Sequence, residues 1–244
     1  MTYCVGLRLN RGLAFMADTR TNAGVDDISM VKKITSWEKT GERVITLMSA
    51  GNLATTQAVV SLLDERSKAP KDRNPSILAA PSMFQIATIV GETLREVVRG
   101  RAGEGPPTAQ SPFSATLIVG GQIKGSEPRL FLIYPQGNFI EAGNDTPFFQ
   151  SGETKYGRPI LVRAFDPAMT FEEAVRLLMV SFDSTIRANL AVAPPLDLVI
   201  HDRDKFTIGA TRRFEGTDPY FRAISDQWSH SLRAAIDGLP KFSF

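Results

Sequence analysis

Residues 1–23 read MTYCVGLRLNRGLAFMADTRTNA. Val5, Leu7 and Leu9 alternate with Gly6 and Arg8, which is the period of a half-buried strand. Asn10-Arg11-Gly12 interrupts the pattern, and an apolar run returns over 13–20. The stretch therefore predicts a hairpin: a strand over 2–10, a three-residue loop with Gly12 at its last position, and a strand over 13–20. With that loop Leu9 faces Leu13 and Asp18 faces Cys4, diagonal to Thr2 and on the same face. Chain termini usually fray unless something ties them down. A strand in the first residues therefore needs a reason, which is either packing or chemistry. The start lacks the basic, apolar and small-residue order of a signal peptide, so no leader is expected.

The rest of the composition narrows the class. The 244 residues are 43% hydrophobic and 22% charged, an ordinary globular balance with material for a sizeable core. Twenty-eight Lys and Arg against 26 Asp and Glu leave no basic footprint for nucleic acid. No apolar run approaches the ~18 residues of a membrane span. The one cysteine, Cys4, cannot form an internal disulfide, which fits a reducing, cytoplasmic setting. Two histidines, His201 and His230, give little for a metal cluster, and no zinc, phosphate-loop, dinucleotide or GxSxG motif is present. No metal or organic cofactor is expected.

Beyond the hairpin, 31–37 (VKKITSW) and 43–50 (RVITLMSA) read as a second strand pair. Residues 52–68 read as a helix with Leu53, Val60 and Leu63 on its stripe, and 65–82 as a surface loop. Met83, Ile86, Val90, Leu94 and Val97 recur at helical spacing over 82–101. A Gly- and Pro-rich loop at 103–112 precedes short strands at 113–120, 129–135, 138–142 and 147–150. A short helix is expected over 155–165. Thr170 and Glu173 form a capping-box signature for the next helix, with Phe171, Ala174, Leu178, Phe182 and Ile186 on its stripe. A strand at 196–202 comes next. Asp218-Pro219 then opens a last helix with Phe221, Ile224, Trp228, Leu232 and Ile236 in period. Strands arriving as hairpins, with helices between the groups, predict α+β architecture: a four-layer αββα sandwich of two antiparallel sheets.

The chemistry-bearing candidates lie at the start. Removal of Met1 would leave Thr2 with a hydroxyl nucleophile and a free amine on one residue, a recognised nucleophile–base pairing. The amine's reference pKa of ~7.7–8.0 leaves a useful neutral fraction at pH 7, and a nearby ammonium would enlarge it. Such an ammonium needs an acid in a partly dry site. Asp18 on the returning strand and Lys33 in VKKIT are the candidates. Plain structural readings stand beside these: threonine at position 2 is common, Lys32 and Lys33 could be a solvated edge, and Cys4 a small packed residue. His201 reads as a strand-end surface residue and His230 as part of a polar helix face.

The segments TYCVGLRLNRGLAFMADTRTNAG, VKKIT and MSAGN resemble a proteasome-type β subunit. DTRTNAGVDDIS and SAGNLATTQAVVSLL resemble in particular Anbu, the bacterial ancestral β subunits. The resemblance covers most of the chain and implies one proteasome-like domain over 1–244 with the N-terminal nucleophile hydrolase fold. It implies Thr2 as nucleophile, Lys33 as catalytic lysine and Asp18 as that lysine's partner. Gly51 matches the oxyanion N–H donor, and Ser151 in QSGETKYG matches a serine beside the amine. Thr21, Val31, Ser49 and Leu53 match the substrate-pocket lining. The family carries a second aspartate, with a serine three residues on, near the end of a later helix. Here Asn189 stands near that place in RANLAVAPP, and no serine comes after it.

The residues and the resemblance together imply an N-terminal threonine hydrolase, acting as a peptidase through an acyl-enzyme, without cofactor. Its expected partners are copies of itself in stacked rings or an open helical assembly, with a peptide or unfolded protein as substrate. An ATPase partner is left open. Two other readings compete: a non-catalytic ring scaffold and a threonine amidohydrolase on small amides. The absence of an extension before the first strand favours the β type over scaffold-forming α subunits.

Overall fold

The computed structural model describes residues 2–22, 28–68, 74–102 and 112–243. Met1, whose removal the expected threonine chemistry requires, and most of the predicted 103–112 loop lie outside them. Strands β1 (Tyr3–Leu9) and β2 (Gly12–Asp18) form the hairpin. β3 (Arg20–Asn22) and β4 (Ile28–Met30) make a small two-stranded ladder. β5 (Ile34–Lys39) and β6 (Arg43–Gly51) lead into α1 (Leu53–Lys68) and α2 (Met83–Ala102). β7 (Ala115–Ile123), β8 (Arg129–Ile133), β9 (Phe139–Glu141) and β10 (Phe148–Gly152) come next. The chain then runs through α3 (Arg158–Ala164), α4 (Phe171–Ala188), β11 (Leu196–Asp202), β12 (Thr211–Phe214) and α5 (Pro219–Asp237).

Two antiparallel five-stranded sheets result, ordered β10-β1-β2-β11-β12 and β5-β6-β7-β8-β9. Three apolar clusters define four layers. Alternate residues of β1 and β2, namely Tyr3, Val5, Leu7, Ala14 and Met16, pack with Ala174, Leu178 and Phe182 of α4. The opposite face of the same strands, with Cys4, Leu13, Phe15 and Ala17, meets Ile34, Met48, Ile118 and Leu130 of the second sheet. The outer face of that second sheet, with Ile45, Leu47, Val119 and Phe131, is covered by α1 and α2. Period-two alternation thus sends one strand's side chains into two different cores. The αββα sandwich is present as the strand and helix patterns predict.

Local signals act as their chemistry requires. Thr170 Oγ1 accepts from Glu173 N while Glu173 reaches back to Thr170 N, so both halves of the capping box form. Asp218 accepts from the N–H groups of Tyr220 and Phe221, with Pro219 next in line. The α2 stripe Met83, Ile86, Val90, Leu94 and Val97 is buried throughout.

Several expectations are corrected. The hairpin register is one residue different: Leu9 pairs with Gly12 and Cys4 with Ala17, not with Asp18. Gly12 is held in the ladder from both sides, by Leu9 of β1 and Asp202 of β11, so the loop shrinks to Asn10-Arg11. VKK is not strand; 31–33 is irregular and β5 begins at Ile34. On α1 Leu63 is buried as expected, but Thr55, Thr56 and Val59 are the other buried residues, while Leu53 and Val60 are only partly covered. Within the expected 65–82 surface loop, Ile77 and Ala80 are core residues, and Arg43 donates to their carbonyls. His201 is 2% exposed instead of at the surface, because β11 is the fourth strand of a five-stranded sheet and its Nε2 meets Thr46 Oγ1 of the other sheet at 3.0 Å. β3, β4 and β12 have no counterpart in the sequence pattern; each is too short to show a period.

Candidate active site

The site begins with the way β1 is anchored. Tyr3 Oη lies 2.7 Å from Ser181 Oγ and accepts from Gln150 Nε2 at 2.6 Å. Its ring lies 4.5 Å from Phe182, centroid to centroid. Burial pushes the Tyr3 phenol up to about 12, so it stays neutral and serves as an anchor. On the other edge β10 pairs Tyr3 with Gly152 and Cys4 with Ser151. Beyond the ladder Glu153 N donates to Thr2 O at 2.6 Å. Strand pairing and the Tyr3 network together hold Thr2, the residue at the strand's mouth, with little of it exposed.

Asp18 closes β2. Its Oδ1 accepts from Tyr3 N at 2.9 Å and from Lys33 Nζ at 2.8 Å. Lys33 Nζ also donates to Arg20 O at 2.6 Å. Both partners are buried, Asp18 at 0% and Lys33 at 7% exposure. Burial pushes the Asp18 carboxyl above its usual range, while Lys33 and the Tyr3 N–H pull it back. Pairing a buried ammonium with a carboxylate and a carbonyl is what allows a charged lysine here at all. Asp18 arrives in spite of the corrected register because it is the last residue of the strand, and the Tyr3 N–H draws its carboxylate round.

The 31–33 segment is held by two backbone bonds, Val31 N to Thr19 O at 2.8 Å and Ser49 N to Lys33 O at 3.1 Å. Thr19 in turn is tied to Pro195 O through both N and Oγ1. Val31 and Lys33 therefore share the site through loop geometry rather than a common strand face.

Thr2 and Lys33 open on a cavity of about 460 Å³. Thr21, Val31, Ser49 and Leu53 all line it, and so does Gly51. Gly51 has φ +116°, and a Cβ there would run into Ser114 O, so only glycine can end β6 this way. Ser151 is buried beside Cys4, with its Oγ 3.5 Å from Thr116 O. Cys4 itself is packed, and burial pushes its thiol up to about 12, so it is not a nucleophile near neutral pH. The wall beyond the expected residues comes mostly from α1 and β5, with Thr35, Thr56, Gln57, Val60 and Ser61, and is completed by Lys32 and Ala50.

Sequence reasoning misses Gly152 and Glu153. Gly152 has φ +85°, and a Cβ there would overlap Thr2 O, so the close approach of the two segments depends on it. Glu153 is buried, and its Oε2 accepts from Asn189 Nδ2 at 2.9 Å. The SGE run carries that signal only once its pairing with the first strand is known.

A family model described as proteasome subunit matches residues 2–193. No curated protein matches the chain significantly. Among solved structures, an Anbu (Gly-1) mutant from Hyphomicrobium sp. strain MC1 is 49% identical over 100% of both chains, with a TM-score of 0.92. Anbu from Yersinia bercovieri is 45% identical over 100% of this chain and 99% of its own, with a TM-score of 0.92. The helical assembly of the Anbu complex from Pseudomonas aeruginosa gives 44% identity over 99% and 98%, with a TM-score of 0.91. The family model stops before β11, whereas the Anbu structures extend over β11, β12 and α5. With two sheets between two helical layers and this degree of identity over its full length, the chain belongs to the proteasome family, on its Anbu branch.

Proposed function

We propose that the chain is an N-terminal threonine peptidase, active once Met1 is removed. Thr2 Oγ attacks the carbonyl of a peptide bond, and the α-amine of Thr2 takes the hydroxyl proton. The Lys33 ammonium disfavours a second positive charge nearby and so keeps a larger share of the amine neutral. Asp18 fixes Lys33 in place. The Gly51 N–H stabilises the oxyanion, an effect worth ~3–4 kcal/mol in the transition state. The amine returns its proton to the leaving amine, and water then releases the acyl-enzyme. Ser151 belongs to the proton-handling group beside the amine. Thr21, Val31, Ser49 and Leu53 receive the side chain before the scissile bond, in a modest, partly apolar pocket.

The observation that carries this reading is the buried Lys33–Asp18 pair, whose lysine lines the same open cavity as Thr2. An ion pair this dry is costly to maintain for stability alone, and replacing such pairs by apolar residues is often neutral or better. The test is amidolysis of fluorogenic peptides by the mature chain and by Thr2→Ala. Turnover in the first and none in the second is the expected result. Full activity in a preparation that retains Met1 would remove the mechanism, because Thr2 N would then be an amide.

We also propose that the protein works as an assembly of its own copies, in stacked rings or an open helix, with the sites facing inward. One Anbu complex in the same family forms a helical assembly. In this chain the second half of α5 leaves Leu232 45% and Ile236 58% exposed, an apolar stripe that its own core does not cover.

A further inference from the structure

We infer that Glu153 is the carboxylate that faces and orients the α-amine of Thr2, the role for which the resemblance offers an aspartate at the place of Asn189. The inference rests on the N-terminal threonine reading above. Its geometry comes from the end of the ladder. The last pair is Tyr3 with Gly152, where the backbone turns at φ +85°, and just beyond it Glu153 N donates to Thr2 O at 2.6 Å. That bond sets Glu153 against Thr2 itself, so a side chain as long as glutamate can reach the Thr2 nitrogen.

The carboxylate is built into place. Oε2 accepts from Asn189 Nδ2 at 2.9 Å, and Oε1 accepts from Lys155 N at 3.2 Å. Asn189 is itself held, because its Oδ1 accepts from Ala191 N at 2.9 Å. Glu153 is 7% exposed, yet no ion pair forms on it among the described residues. A buried carboxylate with neutral donors only is expensive unless a cation is supplied. Loss of Met1 supplies one, the α-ammonium of Thr2, on the residue whose carbonyl accepts from Glu153 N. The charged and titratable groups around that nitrogen are Asp18 at the end of β2, Lys33 before β5, Tyr3 and Cys4 in β1, and Glu153. Just past the end of α4 the neighbouring group is the neutral Asn189.

The role comes from charge. During attack the Oγ proton moves to the amine, and the new ammonium lies beside the Glu153 carboxylate. Glu153 therefore favours the ammonium, while Lys33 disfavours it, and the two together set how basic the amine is. Glu153 is a positioning residue with an electrostatic part, on the side of Thr2 away from Lys33. Asn189 and Glu153 also exchange the roles that the family gives to this location: the acid has crossed the hydrogen bond from the helix end to the strand end.

The test uses the mature chain starting at Thr2, confirmed by intact mass. The titration of the α-amine is read from the pH dependence of trace acetylation, located by peptide mass. Glu153→Gln keeps shape and hydrogen bonding but removes the charge. The amine should then titrate about one pH unit lower, and the acid limb of kcat/KM should move down with it. The plateau should fall about tenfold, because a less basic amine draws the Oγ proton less strongly. Glu153→Gln combined with Asn189→Asp returns a carboxylate to the other side of the same bond and should restore the acid limb. An amine titration and acid limb unchanged in Glu153→Gln would overturn the inference, even if overall activity or stability fell. The amine titration needs no turnover. If Thr2→Ala cleaved peptides as well as the wild type, the nucleophile reading would fail while the assignment of Glu153 to the amine could still be measured.

Discussion

Two parts of this molecule present surface that the chain does not cover. At the Thr2 end of the sandwich an open cavity is lined by Thr2 and Lys33, and behind it the buried Lys33, Asp18, Tyr3 and Glu153 are held by hydrogen bonds of 2.6–3.2 Å. On the second half of α5 the open surface carries apolar side chains, Leu232 and Ile236 in the helix and Leu239 just past its end. The contrast separates chemistry from association. In the proposed function, the buried charge beside an opening serves the reaction and the bare helix stripe serves a neighbouring surface. Substitutions in the first region should change rate without changing assembly, and substitutions in the second should do the reverse.

The largest effect belongs to the first region. Thr2→Ala should lower amidolysis by ~10⁴-fold or more, as loss of a nucleophile does, with an unchanged melting temperature and elution volume. A concurrent collapse of the assembly would break the separation. Next comes Asp18→Ala, which strands the Lys33 ammonium in a dry site and should cost ~3–5 kcal/mol of stability besides activity. Urea unfolding beside peptide hydrolysis reads both, and Lys33→Ala paired with Asp18→Ala should recover part of the stability but none of the rate.

The third test sets α5 against α2, whose stripes look alike in sequence. Leu94→Ala in α2 should cost ~2–5 kcal/mol because the site is enclosed. Leu232→Asp with Ile236→Asp should leave the intrinsic stability of the fold within ~1 kcal/mol but reduce particle size in light scattering. A large loss of stability with unchanged particle size would mean that α5 is covered by its own chain.

A smaller effect comes from a polar group that is fully covered. Burial pushes His201 down from 6.5 to about 4. The unfolded chain therefore binds the extra proton between those values, so stability is complete above about pH 6.5 and is lost as pH falls toward 4. The loss should reach up to ~3 kcal/mol. His201→Gln should flatten that slope in melting curves taken at about pH 7 and about pH 5. The smallest effect concerns preference: a bulky residue at Ser49, on the cavity wall, should shift P1 choice by ~10-fold in a peptide library without altering assembly. An unchanged profile would take Ser49 out of the pocket.

Legibility in the sequence divides in the same way. The four layers can be read because capping and periodicity are local: Thr170 with Glu173, Asp218 with Pro219, and the α2 stripe each depend on neighbours in sequence. Placement of Asp18 and Lys33 near Thr2 can be anticipated from residue type and resemblance, although the predicted strand register is off by one. That error comes from Gly12, which reads as a loop residue until β11 is known to pair with it. Glu153 cannot be read, since its meaning depends on pairing between residues about 150 positions apart in the chain. The α5 stripe can be read as a stripe, but period alone does not say what covers it. His201 is misplaced for a related reason: position at a strand's end says nothing about the sheet lying across from it.

The sharpest test of the threonine mechanism is intact-mass analysis of the purified protein before and after an electrophilic peptide inhibitor, with Thr2→Ala alongside. The expected result is a chain lacking Met1 that gains one inhibitor mass, mapped to Thr2, and a Thr2→Ala chain that gains none. An adduct on another residue, or equal labelling of the Thr2→Ala chain, would contradict it.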